Sequence, residues 1–463
     1  MKTGRLAQLN IIVLLVFTII LCFIDNCSYY FTCVLTYIDV VLCLLIFWKK
    51  GYLGIRNPIF LFWVITTIFS LGQNLAYPFI TDESLVKNTL LYRFKYDAEE
   101  MLLGSKYTMQ ALNLLTIGLV GKRRQYVFGN VKILQYDVES HEDNILQAAY
   151  YVGTALLVIT FIPQIRYLYV NIVQYFTIGY GQTAVDQVSG LTMRLHYLFI
   201  PGVLIRYCAQ IRRKRKTYLE ASIIILHIVS FLAIGDRGSG LALLITLIWI
   251  KAYHDEAFSI KRYIIPVVLL VLAIPVIKYY RIYYTASDSG AFSEALNYVL
   301  TNNPIIDILL ETGGGQRILL MTISKVNVEG FAYGKAYLDF FIKMLPSSMG
   351  IHQFYGTLSK WVINTTGYQT AGFTIWAEAY LNFGFFGIPF MWIIGLVFKY
   401  FMSTENELAT MRTAIILYFF ADVARRSISE YGYNLVYDIL LPIIVIYYVS
   451  FNVTLEENGE INK

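Results

Sequence analysis

The sequence predicts an all-α polytopic membrane protein with about twelve transmembrane helices and one large external helical loop. Hydrophobic residues make up 57% of the 463 residues and charged residues only 15%, whereas a soluble domain carries about 25% charged residues. Apolar runs of about 20 residues, the length that crosses a bilayer, recur along the chain. This composition excludes a cytosolic enzyme, a nucleic-acid-binding protein and a disordered scaffold, because too few polar residues remain to cover a soluble surface.

The first apolar run follows the basic start Met1–Arg5 and resembles a signal peptide. No small-residue cleavage site follows it, and a second run begins almost at once, so we interpret it as an uncleaved signal anchor. The predicted spans are 9–25, 29–48, 57–80, 104–121, 144–163, 190–210, 217–234, 238–253, 262–280, 373–400, 411–428 and 432–451.

Lys and Arg residues near the span ends predict the orientation. The densest cluster, residues 212–216, follows the sixth span, and the other flanking basic clusters also follow even-numbered spans. Together with Lys2 and Arg5, they place both termini in the cytoplasm. The protein is thus expected to be a multi-pass membrane protein.

One connection, residues 281–372, is much longer than the others and is predicted to be external. It divides the chain into transmembrane helices one to nine (1–280), the loop subdomain (281–372), and helices ten to twelve with a cytoplasmic C-terminus (373–463). Within the loop, 291–300 and 335–345 have helical periodicity. A helix is also expected to start at Pro304, after two asparagines. Breaks are expected at residues 313–315 and 346–348, which are rich in Gly, Pro and Ser.

A glycine-rich external turn, residues 235–240 (GDRGSG), is the clearest candidate for ligand binding. Glycines let the backbone approach a ligand closely. Arg237 is placed at the membrane face, where its guanidinium can hold a phosphate through two hydrogen bonds. The alternative is a tight turn in which Asp236 and Arg237 form an ion pair.

Further arginines are predicted on the external side, against the positive-inside trend. Arg281 directly follows a span, and Arg317 follows the three glycines. A pyrophosphate headgroup needs two or three such cations. Arg425 and Arg426, near the external end of the eleventh span, are similar candidates; the alternative is that they pair with nearby acidic residues, Asp422 and Glu430.

Three residues are candidate general bases. His352 is the only histidine in the predicted external loop, and Asp339 lies in the same loop. Glu378 lies just inside an apolar run, where a carboxylate is costly and suggests function. Each could also have an ordinary structural role. The sequence has no P-loop, no GxSxG and no metal-ligand cluster, so we expect no metal, no cofactor and an activated substrate already in the membrane.

Several motifs in the second half, roughly 230–440, resemble the bacterial O-antigen polysaccharide polymerases of Wzy type. The family pattern is a YGxSYL box, a proline, and an AExYxNFGxxG box that opens a span. The matching residues here are Phe331–Leu338 (FAYGKAYL), Leu345–Ser347 (LPS), Gly372–Thr374 (GFT) and Ala377–Gly387 (AEAYLNFGFFG). The GDRG turn and the late arginines also resemble the family. Ala336 replaces the usual serine, and Pro-Ser-Ser replaces Pro-Arg, which removes one cation.

The resemblance implies an integral-membrane glycosyltransferase that joins oligosaccharide repeat units carried on undecaprenyl pyrophosphate at the periplasmic face. Donor and acceptor are then both lipid-linked, and a chain-length regulator is a further expected partner. The family pattern points first to Arg237 and Glu378, then to Arg281, Arg317 and His352. Arginines would stabilise the leaving pyrophosphate, and one side chain would take the proton of the acceptor hydroxyl.

Two alternatives share these features. An O-antigen ligase or another lipid-linked-sugar transferase is not separated from a polymerase by sequence. A flippase or transporter is a different class, for which twelve spans are common. Against a transporter, the sequence shows no paired repeats and few ionisable residues in the middle of its spans.

Overall fold

The structure, a computed structural model, describes most of the chain. The described residues are 2–25, 27–80, 98–121, 138–178, 191–233, 237–255, 257–259, 261, 268, 275–276, 279, 290–301, 303–345, 349–355, 357–358, 360–362, 373–423 and 427–461. Within these ranges all regular structure is helical, which confirms the predicted all-α class. Much of the predicted ninth span lies outside the described residues.

The chain forms two compact units. The first contains 1–120, 257–399 and 420–432, and the second contains 121–256, 400–419 and 433–463. The helices mainly in the first unit are α1 (Lys2–Ile20), α2 (Tyr29–Lys49), α3 (Pro58–Ala76), α4 (Ala98–Val120), α10 (Ala291–Thr301), α11 (Pro304–Thr312), α12 (Gly315–Glu329), α13 (Lys335–Met344), α14 (Ile375–Phe383) and α15 (Gly387–Phe401). Those mainly in the second are α5 (Val138–Ile178), α6 (Leu191–Tyr197), α7 (Phe199–Arg212), α8 (Tyr218–Ala233), α9 (Arg237–His254), α16 (Glu407–Val423) and α17 (Leu441–Ile461).

Among the described residues, five stretches are long and apolar enough to cross a membrane. They are Tyr29–Lys49, Pro58–Phe79, Glu142–Val173, Ile375–Phe401 and Asn434–Asn452. Shorter apolar helices cover Gln8–Phe23, Tyr218–Phe231 and Ser239–His254. All of them overlap predicted spans, so the polytopic character is confirmed, whereas the total of about twelve spans stays a prediction.

Local signals explain several helix boundaries. Asn303 caps α11, because its side-chain oxygen accepts hydrogen bonds from the backbone N–H groups of Ile305 and Ile306, and Pro304 takes the first helical position, where its missing N–H has no cost. The predicted helix start at Pro304 is confirmed. The predicted loop helices are confirmed as α10 and α13.

The predicted break after α11 has a packing reason as well as a conformational one. A Cβ atom at Gly313 would collide with the backbone N of Gln73 on α3, and one at Gly72 would lie 2.6 Å from the carbonyl oxygen of Leu309. Only glycine therefore allows α11 and α3 to touch backbone to backbone. The side chain of Gln73 strengthens this crossing by donating to the carbonyl of Leu310 at 3.1 Å.

Polar side chains link α1, α2 and α4 inside the first unit, and we call this set the membrane lattice. Asp39 is fully buried and accepts a hydrogen bond from the side-chain amide of Asn113 at 2.7 Å. The same amide donates to the hydroxyl of Thr18 at 3.1 Å, and the thiol of Cys43 donates to the Asn113 oxygen at 3.3 Å. Side chains that share hydrogen bonds in this way hold helices together within a bilayer.

The second unit contains a helix that is longer than its predicted span. The pattern predicted 144–163, but α5 continues through Pro163 to Ile178. A proline is tolerated inside a transmembrane helix, because neighbouring groups can satisfy the freed carbonyl. In the same unit, Arg206 and the buried Glu220 form an ion pair at 2.7 Å, which joins α7 to α8.

Candidate functional site

The two family-like boxes, distant in sequence, lie against each other in the first unit. Three segments meet there, 331–344, 374–387 and 427–432, and we call their meeting point the junction. The backbone N–H of Ala332 donates to the carbonyl of Leu381 at 2.8 Å. Helix α13 packs against both α14 and the 3₁₀ turn Ile428–Tyr431. Residues quoted as separate motifs thus form one structural feature.

Asn382 connects the two boxes through its side chain. Its carbonyl oxygen accepts from the backbone N–H of Ala336 at 3.2 Å, near the start of α13. Its amide group donates to the backbone carbonyl of Glu378 at 2.8 Å, one turn earlier on α14. Asn382 is fully buried, so losing either bond would leave a polar group unsatisfied. The asparagine of the box therefore has a clear structural purpose here.

Glu378 uses both of its carboxylate oxygens on the third segment. One oxygen accepts from the backbone N–H of Ile428 at 2.6 Å and the other from that of Ser429 at 3.0 Å. Glu378 is fully buried. Two consecutive N–H groups at the start of a 3₁₀ turn form a natural site for a negative charge. Thr374 begins α14 by accepting from the N–H of Ala377 at 3.2 Å, which fixes where Glu378 points.

Asp339 makes the same kind of contact from α13. Its two oxygens accept from the backbone N–H groups of Phe354 and Tyr355 at 2.7 and 2.9 Å. Asp339 is buried, whereas His352, two residues before Phe354, is exposed. The segment that carries His352 is thus tied to α13 by a carboxylate.

Lys343 supplies positive charge next to these carboxylates. Burial lowers the pKa of Lys343, and the nearby side chains of Glu430, Asp339 and Glu378 partly offset this effect. Lys343 lies four residues after Asp339, on the same face of α13. The junction therefore combines three acidic side chains with a partly buried lysine.

Aromatic rings cover one side of the junction. Tyr337 packs between Phe383 and Phe390, with ring centroids 5.9 and 4.9 Å away. Burial first, and then the Glu378 carboxylate, raise the pKa of Tyr337 well above its ordinary value. Its hydroxyl therefore stays protonated and available as a donor. Rings of this kind can also stack on the faces of sugars.

Gly384 has a backbone that other residues rarely adopt. Its φ angle is +57°, and a Cβ atom there would lie 2.9 Å from the ring of Phe331. Phe331 in turn packs on Tyr380 with centroids 6.1 Å apart. The glycine of the NFG motif is required both by its conformation and by the neighbouring aromatic ring.

Of the five arginines predicted to bind pyrophosphate, the structure describes the side chain of Arg317. Arg317 is buried, 3% exposed, on α12, which packs against α14. Arg237 begins α9, but its side chain lies outside what the structure describes, as do Arg281, Arg425 and Arg426. A shared pyrophosphate site for these residues stays a prediction. Among the described residues, no group of three or more His, Cys, Asp or Glu side chains is placed to hold a metal ion.

Sequence reasoning missed several polar residues. Asn382 was quoted only as part of a box, and Lys343 was not among the candidate site residues. In the second unit, Asp438 is buried and accepts from Asn434 at 2.7 Å, within a π-helix over Asn434–Leu440. An acidic residue inside a predicted span was the available signal for Asp438.

The geometry determines what the predicted bases can do. Glu378 and Asp339 each have both oxygens engaged by backbone N–H groups, so either would have to release a hydrogen bond to accept a proton. His352 is exposed, and its ring is not among the side chains that hold the junction together. The catalytic role of all three stays a prediction.

The comparisons with known proteins bear on the whole chain. The family model "O-antigen polysaccharide polymerase Wzy" matches residues 8–454, nearly the full length. No curated protein and no solved structure matches the chain. The match extends well beyond the region 230–440 in which the motifs were recognised, and it includes the membrane lattice and the whole junction. The chain therefore belongs to the O-antigen polysaccharide polymerase (Wzy) family, membrane proteins that polymerise lipid-linked repeat units.

Proposed function

We propose that this protein polymerises undecaprenyl-pyrophosphate-linked oligosaccharide repeat units into O-antigen or a related surface polysaccharide at the periplasmic face of a bacterial inner membrane. The observation that carries this proposal is the family match over residues 8–454. The junction supports it, because the two boxes that resemble the family are joined there by direct hydrogen bonds.

The reaction is a glycosyl transfer without a nucleotide. A hydroxyl of the acceptor repeat unit attacks the anomeric carbon of the donor, and the bond from that carbon to the pyrophosphate oxygen breaks. A new glycosidic bond forms, undecaprenyl pyrophosphate leaves with its electron pair, and the hydroxyl proton passes to a base. We assign the base to His352, since it is exposed on a segment tied to the junction.

Arginines would stabilise the leaving pyrophosphate. We propose Arg237 as the principal residue, with Arg281, Arg317, Arg425 and Arg426 as further contributors. Guanidinium groups offer paired donors that match phosphate oxygens. Since these cations offset the developing charge, we expect polymerisation to be metal-independent and to continue in excess chelator.

The direct test uses purified protein in lipid vesicles with a synthetic undecaprenyl-pyrophosphate-linked repeat unit. We expect a ladder of products that differ by one repeat unit, with release of undecaprenyl pyrophosphate. Transfer only to a lipid A core acceptor would show a ligase instead. Movement of the substrate across the bilayer without new glycosidic bonds would show a flippase.

The pyrophosphate assignment has its own test. We expect Arg237→Ala to abolish the ladder while the protein still inserts into membranes at normal abundance. Arg237→Lys should restore little activity, because a point charge does not replace the planar fork. A wild-type ladder in Arg237→Ala would contradict the assignment, and a wild-type ladder in Arg237→Lys would reduce it to a requirement for charge.

The periplasmic location depends on the predicted topology. Reporter fusions at Lys214 and Tyr333 should report opposite sides of the membrane, with Tyr333 outside. The same side for both would overturn the placement of the large loop. Co-purification with a chain-length regulator is a further expectation for the complete pathway.

A further inference from the structure

We propose that Glu378 and Asp339 are positioning residues: each carboxylate fixes one external segment by accepting two consecutive backbone N–H groups, and neither takes the acceptor proton. This inference deepens the proposed function, and its effect on catalysis rests on that function. The structural part, that the two carboxylates anchor segments 427–432 and 349–355, stands independently of the reaction.

The two contacts share one design. Each carboxylate lies on a helix of the junction, is buried, and uses one oxygen for each of two neighbouring N–H groups. The four donor–acceptor distances lie between 2.6 and 3.0 Å, as expected for N–H donors to a charged acceptor. Two N–H groups held by one rigid side chain fix both the position and the direction of the segment, which a single hydrogen bond does not do.

The segments held in this way carry the residues proposed to act on substrate. His352 lies two residues before Phe354, the first residue held by Asp339. Arg425 and Arg426 come directly before Ser427 in the sequence, and Glu378 holds the next two residues, Ile428 and Ser429. Asp339 thus restricts where His352 can lie.

A base role is unfavourable for a carboxylate bound in this manner. Both oxygens of each carboxylate already accept an N–H group, so neither oxygen is free to take the acceptor proton. A protonated carboxyl would also bring its O–H toward one of the two N–H groups, so the contact would break during every catalytic cycle. A positioning role needs no such rupture.

Hydrogen–deuterium exchange of the full-length protein in vesicles tests the structural part. We expect Glu378→Gln to speed exchange in peptides covering 427–432 by about tenfold or more, and Asp339→Asn to do the same for 349–355, because the amide replaces one of the two acceptor oxygens with an NH₂ donor. Each variant should loosen its own segment and leave the other unchanged. The matched controls are Glu294→Gln and Asp25→Asn, whose carboxylates are exposed.

The substitution Ile428→Pro distinguishes a positioning role of Glu378 from a role in proton transfer. Ile428→Pro removes one of the two N–H donors while the carboxylate stays intact. Ser427 already has φ −75° and ψ 153°, which suits a residue before proline, and Ile428 is the first residue of the 3₁₀ turn. We expect Ile428→Pro to lose most of the turnover that Glu378→Gln loses. Wild-type turnover in Ile428→Pro, with a loss in Glu378→Gln, would overturn the proposal in favour of a base.

Double variants test the link to the substrate-contacting residues. We expect Asp339→Asn to lower kcat about tenfold alone and to add nothing in a His352→Ala background, since residues acting through one another are not additive. The same should hold for Glu378→Gln in an Arg425→Ala/Arg426→Ala background. Double variants that combine one residue from each linked set, such as Asp339→Asn with Arg425→Ala/Arg426→Ala, should show losses of kcat that multiply. Additive losses within each linked pair would contradict positioning.

The outcomes separate this inference from the proposed function. Local loosening together with non-additive losses supports it. If hydrogen–deuterium exchange at both segments is the same in the variants as in wild type, the inference is overturned, whatever the activity of the variants. A wild-type protein that shows the exchange pattern but makes no ladder would remove the proposed polymerase function and leave the two anchoring contacts standing. Thermal melting in detergent, close to wild type for each variant, shows that turnover is compared between folded molecules.

Discussion

The first unit buries a carboxylate in two different regions, and the contrast between them is instructive. In the membrane lattice, Asp39 accepts one hydrogen bond from the side chain of Asn113. Its second oxygen has no hydrogen-bond partner among the described residues. In the junction, Glu378 accepts two hydrogen bonds, both from backbone N–H groups. Both side chains are fully buried, yet only Glu378 has donors for both oxygens.

The number of hydrogen bonds that each carboxylate accepts indicates its role in its region. A buried ionised carboxylate is very costly unless several donors compensate it, and the junction provides them together with the partly buried Lys343. In the membrane lattice, the partner of Asp39 is a side chain on another helix. An asparagine in place of Asp39 could accept the same hydrogen bond. We therefore expect both carboxylate oxygens to be needed at Glu378, whereas one acceptor oxygen is sufficient at Asp39.

The largest effect that would sharpen this contrast is expected from Glu378→Gln. The amide cannot accept from both Ile428 and Ser429, so one buried N–H loses its partner at a cost of about 1–3 kcal/mol. We expect about a hundredfold loss of polymer synthesis with single repeat units accumulating, while membrane abundance stays near wild type. Gel banding of the polysaccharide and quantitative blotting measure the two quantities. Retained polymer would mean that the second carboxylate oxygen is not needed at this position.

A smaller effect is expected from Gly384→Ala in the same region. The left-handed backbone costs an alanine about 1–3 kcal/mol, and the new Cβ would also press on the ring of Phe331. We expect a several-fold loss of turnover. Gly51→Ala is the matched control, since Gly51 also has a positive φ (+71°) but nothing within 4 Å of an added Cβ. Equal losses in both variants would attribute the effect to backbone strain alone.

The smallest effect is expected from Asp39→Asn in the membrane lattice. Asparagine keeps the acceptor for Asn113 and replaces the oxygen that has no partner among the described residues. We therefore expect polymer length and thermal stability within experimental error of wild type, a change below about 1 kcal/mol, as is usual for a well-matched polar pair in a membrane. A loss comparable to that of Glu378→Gln would break the contrast, because it would show that both carboxylate oxygens are needed in both regions.

Much of the architecture was predictable from local patterns. The all-helical membrane class follows from composition, and the start of α11 at Asn303–Pro304 follows from capping chemistry. The extent of α5 was not predictable, because the window that defines a span ends near Pro163, whereas tertiary packing carries the helix through it.

The site was predictable only in its parts. Glu378 was recognised as unusual because it lies in an apolar run, but its partners are 50 and 51 residues away in sequence and are backbone groups. A backbone N–H has no signature in the sequence, so pattern analysis favoured the chemical role over the structural one. The same reason hides the contacts of Asp339. The roles assigned to the arginines continue to rest on the family pattern.

The stretch Ile375–Phe401 has a consequence for the depth at which the junction lies. Its 27 residues would span about 40 Å as a continuous helix, against a hydrocarbon core of about 30 Å. The stretch is interrupted by the 3₁₀ turn Gly384–Phe386, so α14 can extend beyond the hydrocarbon and reach the zone of the lipid headgroups. A prenyl carrier would present its reactive end in that zone. Acyl chains of different length would raise or lower such a carrier relative to α14, so we expect the rate of the proposed reaction to depend on bilayer thickness.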